Sequence, residues 1–167
     1  MKIGIVADTH DNLSAVHTIV NEFERRGVEV ILHCGDVIAP PIIPAFDGFE
    51  FHLVFGNNDG ETDGLRRAID DLGKESMCHG RFTAIELDGI QFAMLHGEDL
   101  VEVEAYARAG TYDYVLYGHH HERREERIGE TWIVNPGAHF PSVPVEHQTV
   151  VVLDTKTGEH TFVPLLE

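Results

Sequence analysis

The sequence predicts a mixed α/β domain in which two packed sheets are flanked by helices. Three observations point there. The first third reads as a strand–helix–strand unit, the later part is dense in hairpin signals, and 43% of the 167 residues are hydrophobic, enough to close a core.

Each element follows from its residues. Positions 3–7 (Ile-Gly-Ile-Val-Ala) form a short apolar run that ends at an acid, the pattern of a buried strand. Leu13, Val16, Ile19, Val20 and Phe23 share one helical face over 12–26, with Asp11 or Asn12 as cap and Gly27 as stop. The next strand is 28–34, which makes a βαβ unit and implies parallel pairing. Pro40, Pro41 and Pro44 break the chain before a third strand at 51–55. Leu65, Ile69 and Leu72 then mark a helix that stops at Gly73. Asp88-Gly89 is a two-residue turn signal between strands at 82–87 and 90–96. A helix fits 99–109 and a strand 113–117. Gly129-Glu130 turns a second hairpin, 123–128 with 131–135, and 148–154 with 159–164 closes the domain. No repeat, linker or low-complexity segment divides the chain, so the expectation is one domain over 1–167.

Composition narrows the function. Asp and Glu number 29 against 12 Lys and Arg, for a net charge of −17. A polyanion carries the same sign, so general nucleic-acid binding is not expected. Only Lys2, Lys74 and Lys156 are lysines, a bias that suits either salt adaptation or a merely acidic cytosolic protein. No apolar run approaches the roughly 20 residues of a membrane span, and the first residues do not read as a signal peptide. The expected location is the cytoplasm. Cys34 and Cys78 form no CxxC pair and are read as two reduced thiols.

Histidine is the unusual count, 12 residues spread over the whole chain. Five strands end in metal-type donors: Asp8 and His10, Asp36, Asn57, His96, and His119 and His121. Ligands of open α/β sheets gather at strand carboxyl ends, so these seven should meet in space. Alternation along extended backbone would pair Asp8 with His10 and His119 with His121. Seven oxygen and imidazole donors suit two ions that share a carboxylate. Two ions about 3.5–4 Å apart bind phosphate oxygens and ionise a bridging water into a nucleophile. Glycines 35, 56 and 118, each just before a donor, let the backbone turn sharply and admit substrate.

In chain order, Asp-x-His, Gly-Asp, Gly-Asn-x-Asp, His-Gly and Gly-His-x-His resemble the calcineurin-like metallophosphoesterase superfamily. The short length resembles its small YfcE-like phosphodiesterases. Asn135-Pro136-Gly137 is similar to that subgroup too, though Ala138 stands where Ser usually follows. The resemblance implies a four-layer sandwich of two mixed β-sheets flanked by α-helices. It implies that Asp8, His10, Asp36 and His121 hold one divalent ion and Asp36, Asn57, His96 and His119 the other, with Asp36 bridging. Manganese leads the candidate metals; nickel, iron, magnesium or zinc would also suit these donors. The candidate catalytic residues are Asp36, His10 and Asn58.

Two departures bear on mechanism. Larger members place His where Asn58 stands, and an amide has no useful proton to give a leaving group. Asn58 is therefore read as a hydrogen-bond donor to substrate phosphate. His120, the variable residue of Gly-His-x-His, is read as a structural or substrate-rim residue rather than a ligand. His33 is a candidate support for the site and His139 a candidate substrate contact. The implied activity is hydrolysis of small phosphate esters, diesters before phosphoproteins, with homo-oligomerisation left open. The alternative is a protein-binding scaffold on the same fold, as in a retromer subunit; the intact set of seven donors argues against it.

Overall fold

The first helix shows how local signals become layers. Asn12 caps α1 (Leu13–Arg26) by accepting from the Ala15 amide, and Gly27 ends it in the left-handed conformation at φ 72°. Its apolar face, Val16, Ile19 and Phe23, packs on the strand before it, β1 (Lys2–Val6), so closely that a Cβ at Gly4 would sit 2.7 Å from the Phe23 ring. The computed structural model describes residues 1–165.

Parallel pairing carries β1 to β2 (Val30–His33), then β3 (Glu50–Leu53) and the two-residue β4 (Met77–Cys78). Helix α2 (Thr62–Asp71) returns the chain between β3 and β4. The closing hairpin, β10 (Thr149–Asp154) and β11 (Glu159–Pro164), joins β1 antiparallel and completes a six-stranded mixed sheet. The second sheet has five strands. Its first hairpin is β5 (Phe82–Leu87) with β6 (Ile90–Leu95), turned at Asp88 and Gly89 with φ 51° and 81°. Helix α3 (Leu100–Arg108) leads to β7 (Tyr114–Leu116), and β8 (Arg124–Ile128) pairs with β9 (Thr131–Asn135). Strands β6, β7 and β9 run parallel.

Alternation along the strands sorts the core into three apolar seams and hence four layers. Val6, Ile31, Phe51 and Leu53 face α1 and α2. Ile3, Ile5 and Leu32 face Phe92, Met94 and Leu116 of the second sheet. On its far side Leu95, Val115 and Ile133 meet Val103 and Ala107 of α3. This is the four-layer arrangement of two mixed sheets that the sequence implied.

Two segments differ from the sequence reading. Pro40–Phe46 is a 3-10 helix rather than a plain break, and it delivers Ile42, Ile43 and Phe46 to the core. Strand β4 was not foreseen, being too short to show a period. A hydrogen-bonded chain ties the sheets together there: Glu50 to His52 at 2.7 Å, His52 to His79 at 2.9 Å, and His79 to Thr83 on β5 at 3.3 Å. Both cysteines are buried and free. Among the described residues no helix is long and apolar enough to cross a membrane.

Candidate metal centre

Beyond their last paired residues, β1 and β2 continue side by side. The amides of Asp8 and His10 donate to the carbonyls of Gly35 and Asp36 at 3.0 and 3.1 Å. These loops are not extended. Asp8, His10, Asp36, His119 and His121 all have positive φ, between 46° and 65°. Asp8 and His10 do face the same centre, though not through the expected strand alternation; His121 joins them, whereas His119 stands beside Asn57. Left-handed turns aim the side chains. That conformation costs an L-residue about 1 kcal/mol or more, least for Asp, Asn and His, and it is concentrated here on candidate ligands.

The side chains converge. His10 Nε2 lies 3.3 Å from Asp36 Oδ2 and 3.6 Å from Asp8 Oδ1. His121 Nε2 is 3.4 Å from Asp8 Oδ1, and His96 Nε2 is 3.4 Å from Asp36 Oδ2 and 3.9 Å from Asp8 Oδ1. Two groups of donors each fit within 4.8 Å: Asp8 with His10 and His121, and Asp8 with Asp36 and His96. Asp8 therefore lies between the two groups, while Asp36 reaches both His10 and His96. The seventh and sixth donors, His119 and Asn57, stand together, His119 Nδ1 being 3.0 Å from Asn57 Oδ1.

This donor set fits divalent cations. Asp8 Oδ1, His10 Nε2 and His96 Nε2 are buried atoms with no hydrogen-bond partner, and they face one another. Buried polar atoms are rarely left so without a ligand. His96 Nδ1 donates to the Cys34 carbonyl at 2.8 Å, which leaves the Nε2 lone pair turned to the carboxylates, as a ligand needs. The electrostatics agree. The Asp36 and Asp8 carboxylates push His10 up to about 9. Burial opposes a charge on His96, yet Asp36, Asp8 and the Cys34 carbonyl bring it to about 8. Burial also opposes charge on Asp36, and His10, His96 and Asn58 outweigh it, holding the carboxyl below its usual range. Positive charge is what this cluster asks for, from protons or from metal.

Glycines make the convergence sterically feasible. A Cβ at Gly56 would stand 2.1 Å from Asp36 Oδ1, and one at Gly118 2.5 Å from Asp8 Oδ2. They leave room for carboxylates more than for substrate.

Several residues support the site from behind. Buried His33 accepts from the Gly35 amide through Nδ1 at 3.2 Å, so its Nε2–H donates to Thr9 at 3.1 Å, bridging the two loops. Burial pushes it down to about 3, keeping it neutral. His139 is largely buried, and its amide donates to the Asp8 carbonyl. Asn58 holds Asp36, from its backbone amide to Oδ1 at 2.9 Å and from its side chain to Oδ2 at 2.7 Å. Exposed His120 bonds the Gly97 carbonyl at 3.0 Å, with its ring centroid 5.1 Å from that of His119.

Sequence reasoning passed over two residues. Asp59 closes the Gly-Asn-x-Asp motif, and its carboxylate accepts from the amides of Asp36, Ile38 and Gly56 at 2.9, 2.7 and 2.7 Å. The motif was the available signal. Phe140, which nothing in the sequence marks, lies with its ring centroid 4.6 Å from that of His10 and 4.8 Å from that of His121.

Comparison with known proteins identifies the family. The model of the calcineurin-like phosphoesterase superfamily domain matches residues 1–158. Phosphodiesterase MJ0936 of Methanocaldococcus jannaschii is 33% identical over 165 residues, 96% of each chain. The solved structure of an archaeal phosphodiesterase superposes with a TM-score of 0.89 at 32% identity, covering 98% of this chain and 99% of that one. The E. coli phosphoesterase YfcE gives 0.63 at 18% identity, covering 99% and 100%. Vacuolar protein sorting 29 of Cryptosporidium parvum gives 0.64 at 13%, covering 97% and 95%. At those last two identities the likeness concerns the fold alone.

Proposed function

The chain belongs to the calcineurin-like phosphoesterase superfamily, and from that premise we propose that it hydrolyses small phosphodiesters with the help of two divalent metal ions. One observation carries the proposal: buried, partnerless donor atoms of Asp8, His10 and His96 face one another across two loops and two sheets. Asp8, His10, Asp36 and His121 would hold one ion and Asp36, Asn57, His96 and His119 the other, with manganese our choice of metal. When bound, such ions supply Lewis-acid activation of water and of phosphoryl oxygens.

The chain's own groups do the rest. Cys34 fixes the His96 ring through Nδ1, and Asn58 and Asp59 fix the carboxylate and backbone of Asp36. Asn58 offers no acidic proton, so the departing ester oxygen leaves unassisted by that position. His120 stands at the rim, where it would meet substrate. A charge of −17 disfavours long polyanions and supports a small substrate.

Dialysis against manganese followed by elemental analysis should give about two equivalents per chain, and the loaded protein should release nitrophenolate from bis(4-nitrophenyl) phosphate. Asp36→Asn should cost more rate than His96→Ala, because a shared carboxylate serves both ions. A stoichiometry near zero in protein that is folded by circular dichroism would sink the reading.

A further inference from the structure

Beside the metal centre a groove of about 780 Å³ opens between the first half of α1 and the loop 139–148. Asn12 and Ala15 line one wall, Phe140, Pro141, Val145 and Gln148 the other. We propose that this groove is the subsite for the organic group of the phosphodiester, and that it takes an uncharged, flat aromatic group such as an aryl ring or a nucleobase. The inference rests on the phosphodiesterase reading and names its substrate class.

Position is the first argument. Phe140 is shared: its ring lies against those of His10 and His121, and the same residue lines the groove. A phosphate held among the metal donors would thus have one of its ester groups beside the groove mouth.

Rigidity is the second. The Asn135 side chain donates to the Gly118 carbonyl and accepts from the Gly137 amide, and Thr149 donates to the Pro136 carbonyl. The His139 amide donates to Asp8, and the Asn12 side chain, already the cap of α1, donates to the His139 carbonyl at 2.7 Å. Gly137, at φ 99°, stands where a Cβ would fall 2.0 Å from the His147 carbonyl oxygen. Phe140 is therefore a wall set in place before substrate arrives, which spares the ordering cost of binding.

Chemistry is the third. A quarter of the chain is charged, yet among the described residues no Asp, Glu, Lys or Arg lines the groove. A second phosphate would find no cation there. An aromatic face finds the half-buried Phe140 ring and Pro141, with the Ser14 and Thr18 hydroxyls and the Gln148 amide for polar edges.

The test uses two symmetric diesters of equal charge, so that either ester group can enter. Binding of diphenyl phosphate and of dimethyl phosphate to the manganese-loaded protein is measured by competition against bis(4-nitrophenyl) phosphate hydrolysis. The diphenyl ester should bind about tenfold tighter or more. Two variants should bring that ratio toward one: Phe140→Ala, which removes the wall, and Ala15→Trp, which fills the groove from a partly exposed helix position. Equal binding of both esters by the parent would overturn the subsite, as would a ratio that survives Ala15→Trp. If Phe140→Ala weakens both esters alike and Ala15→Trp leaves the ratio intact, Phe140 only props the histidines and the proposal fails. A parent that hydrolyses bis(4-nitrophenyl) phosphate without aryl preference refutes the subsite alone; a parent with no hydrolysis refutes the phosphodiesterase reading as well.

Discussion

Replacing Asp59 by Asn should loosen the candidate centre without touching a donor. Asp59 is 7% exposed and spends all of its carboxylate on three backbone amides: Oδ2 on those of Asp36 and Gly56, Oδ1 on that of Ile38. An amide side chain has one acceptor oxygen. Its best placement keeps the two bonds at Oδ2 and turns its NH2 toward the Ile38 N–H, donor against donor. The loss is one charge-assisted hydrogen bond, about 1.5–3 kcal/mol, plus weaker neutral bonds at the other two. Burial opposes the Asp59 charge and raises its pKa, so removing that charge offsets part of the loss; a net of about 2 kcal/mol lowers the melting temperature of a domain this size by about 4–8 °C. Melts should be run with a chelator present, because bound metal would stabilise the native state by mass action and mask the change. Manganese affinity should fall as well, since the Asp36 backbone loses its anchor. A variant melting within 2 °C of the parent, with unchanged manganese affinity, would refute the claim that Asp59 holds these loops.

Three further outcomes follow from the same structure. Gly118→Ala places a methyl 2.5 Å from Asp8 Oδ2 and should lower kcat at saturating manganese by about 100-fold, whereas Gly129→Ala, which meets no atom within 4 Å, should cost about 1 kcal/mol of stability through its positive φ and leave kcat alone. Burial, with His52 beside it, pushes His79 down to about 4 from an ordinary 6.5, so the unfolded chain takes up this proton first and stability is lost as pH falls from about 6.5 to 4. The full shift would be worth about 3 kcal/mol, and partial exposure reduces it to roughly 1–2; urea unfolding at pH 7 and 4.5 should show that much less acid loss in His79→Gln than in the parent, and equal losses would dismiss the mechanism. Across aryl phosphodiesters of rising leaving-group pKa, rates should fall steeply in the parent and less steeply in Asn58→His, because a positioned acid contributes about 10²–10⁴-fold where the leaving oxygen is basic. A shallow slope in the parent would mean that another group already supplies the proton.

Much of this molecule was legible because its signals are local. Gly27 and Asp88-Gly89 occupy left-handed conformations that their residue types favour, so the ends of α1 and the β5–β6 turn could be read from single residues. The donors were legible through placement, each just after an apolar run. What escaped depends on tertiary contact. Pro40, Pro41 and Pro44 exclude an α-helix without excluding the 3-10 turn that buries Phe46. Strand β4 exists because His52 and Leu53 are there to pair with it, and two residues carry no period. The backbone twist at Asp8 and His10 follows from hydrogen bonds to the β2 loop, which no reading of positions 8–10 supplies. Phe140 is an ordinary aromatic until the chain returns to β1 and sets it against two histidines.

The donors are divided between the two sheets. Asp8, His10, Asp36 and Asn57 leave strands of the first; His96, His119 and His121 leave strands of the second. No disulfide holds that division in alignment, since both cysteines are free; besides the hydrogen-bonded chain at its edge, the seam of Ile3, Ile5 and Leu32 against Phe92, Met94 and Leu116 does. A slide of one sheet past the other by a single residue, about 3.3 Å, would carry the imidazoles of one half clear of the carboxylates of the other. The apolar seam is thus the gauge that sets the bore of the centre, and a methylene removed from Met94 or Leu32 can detune metal affinity from a position that no ion or substrate ever touches.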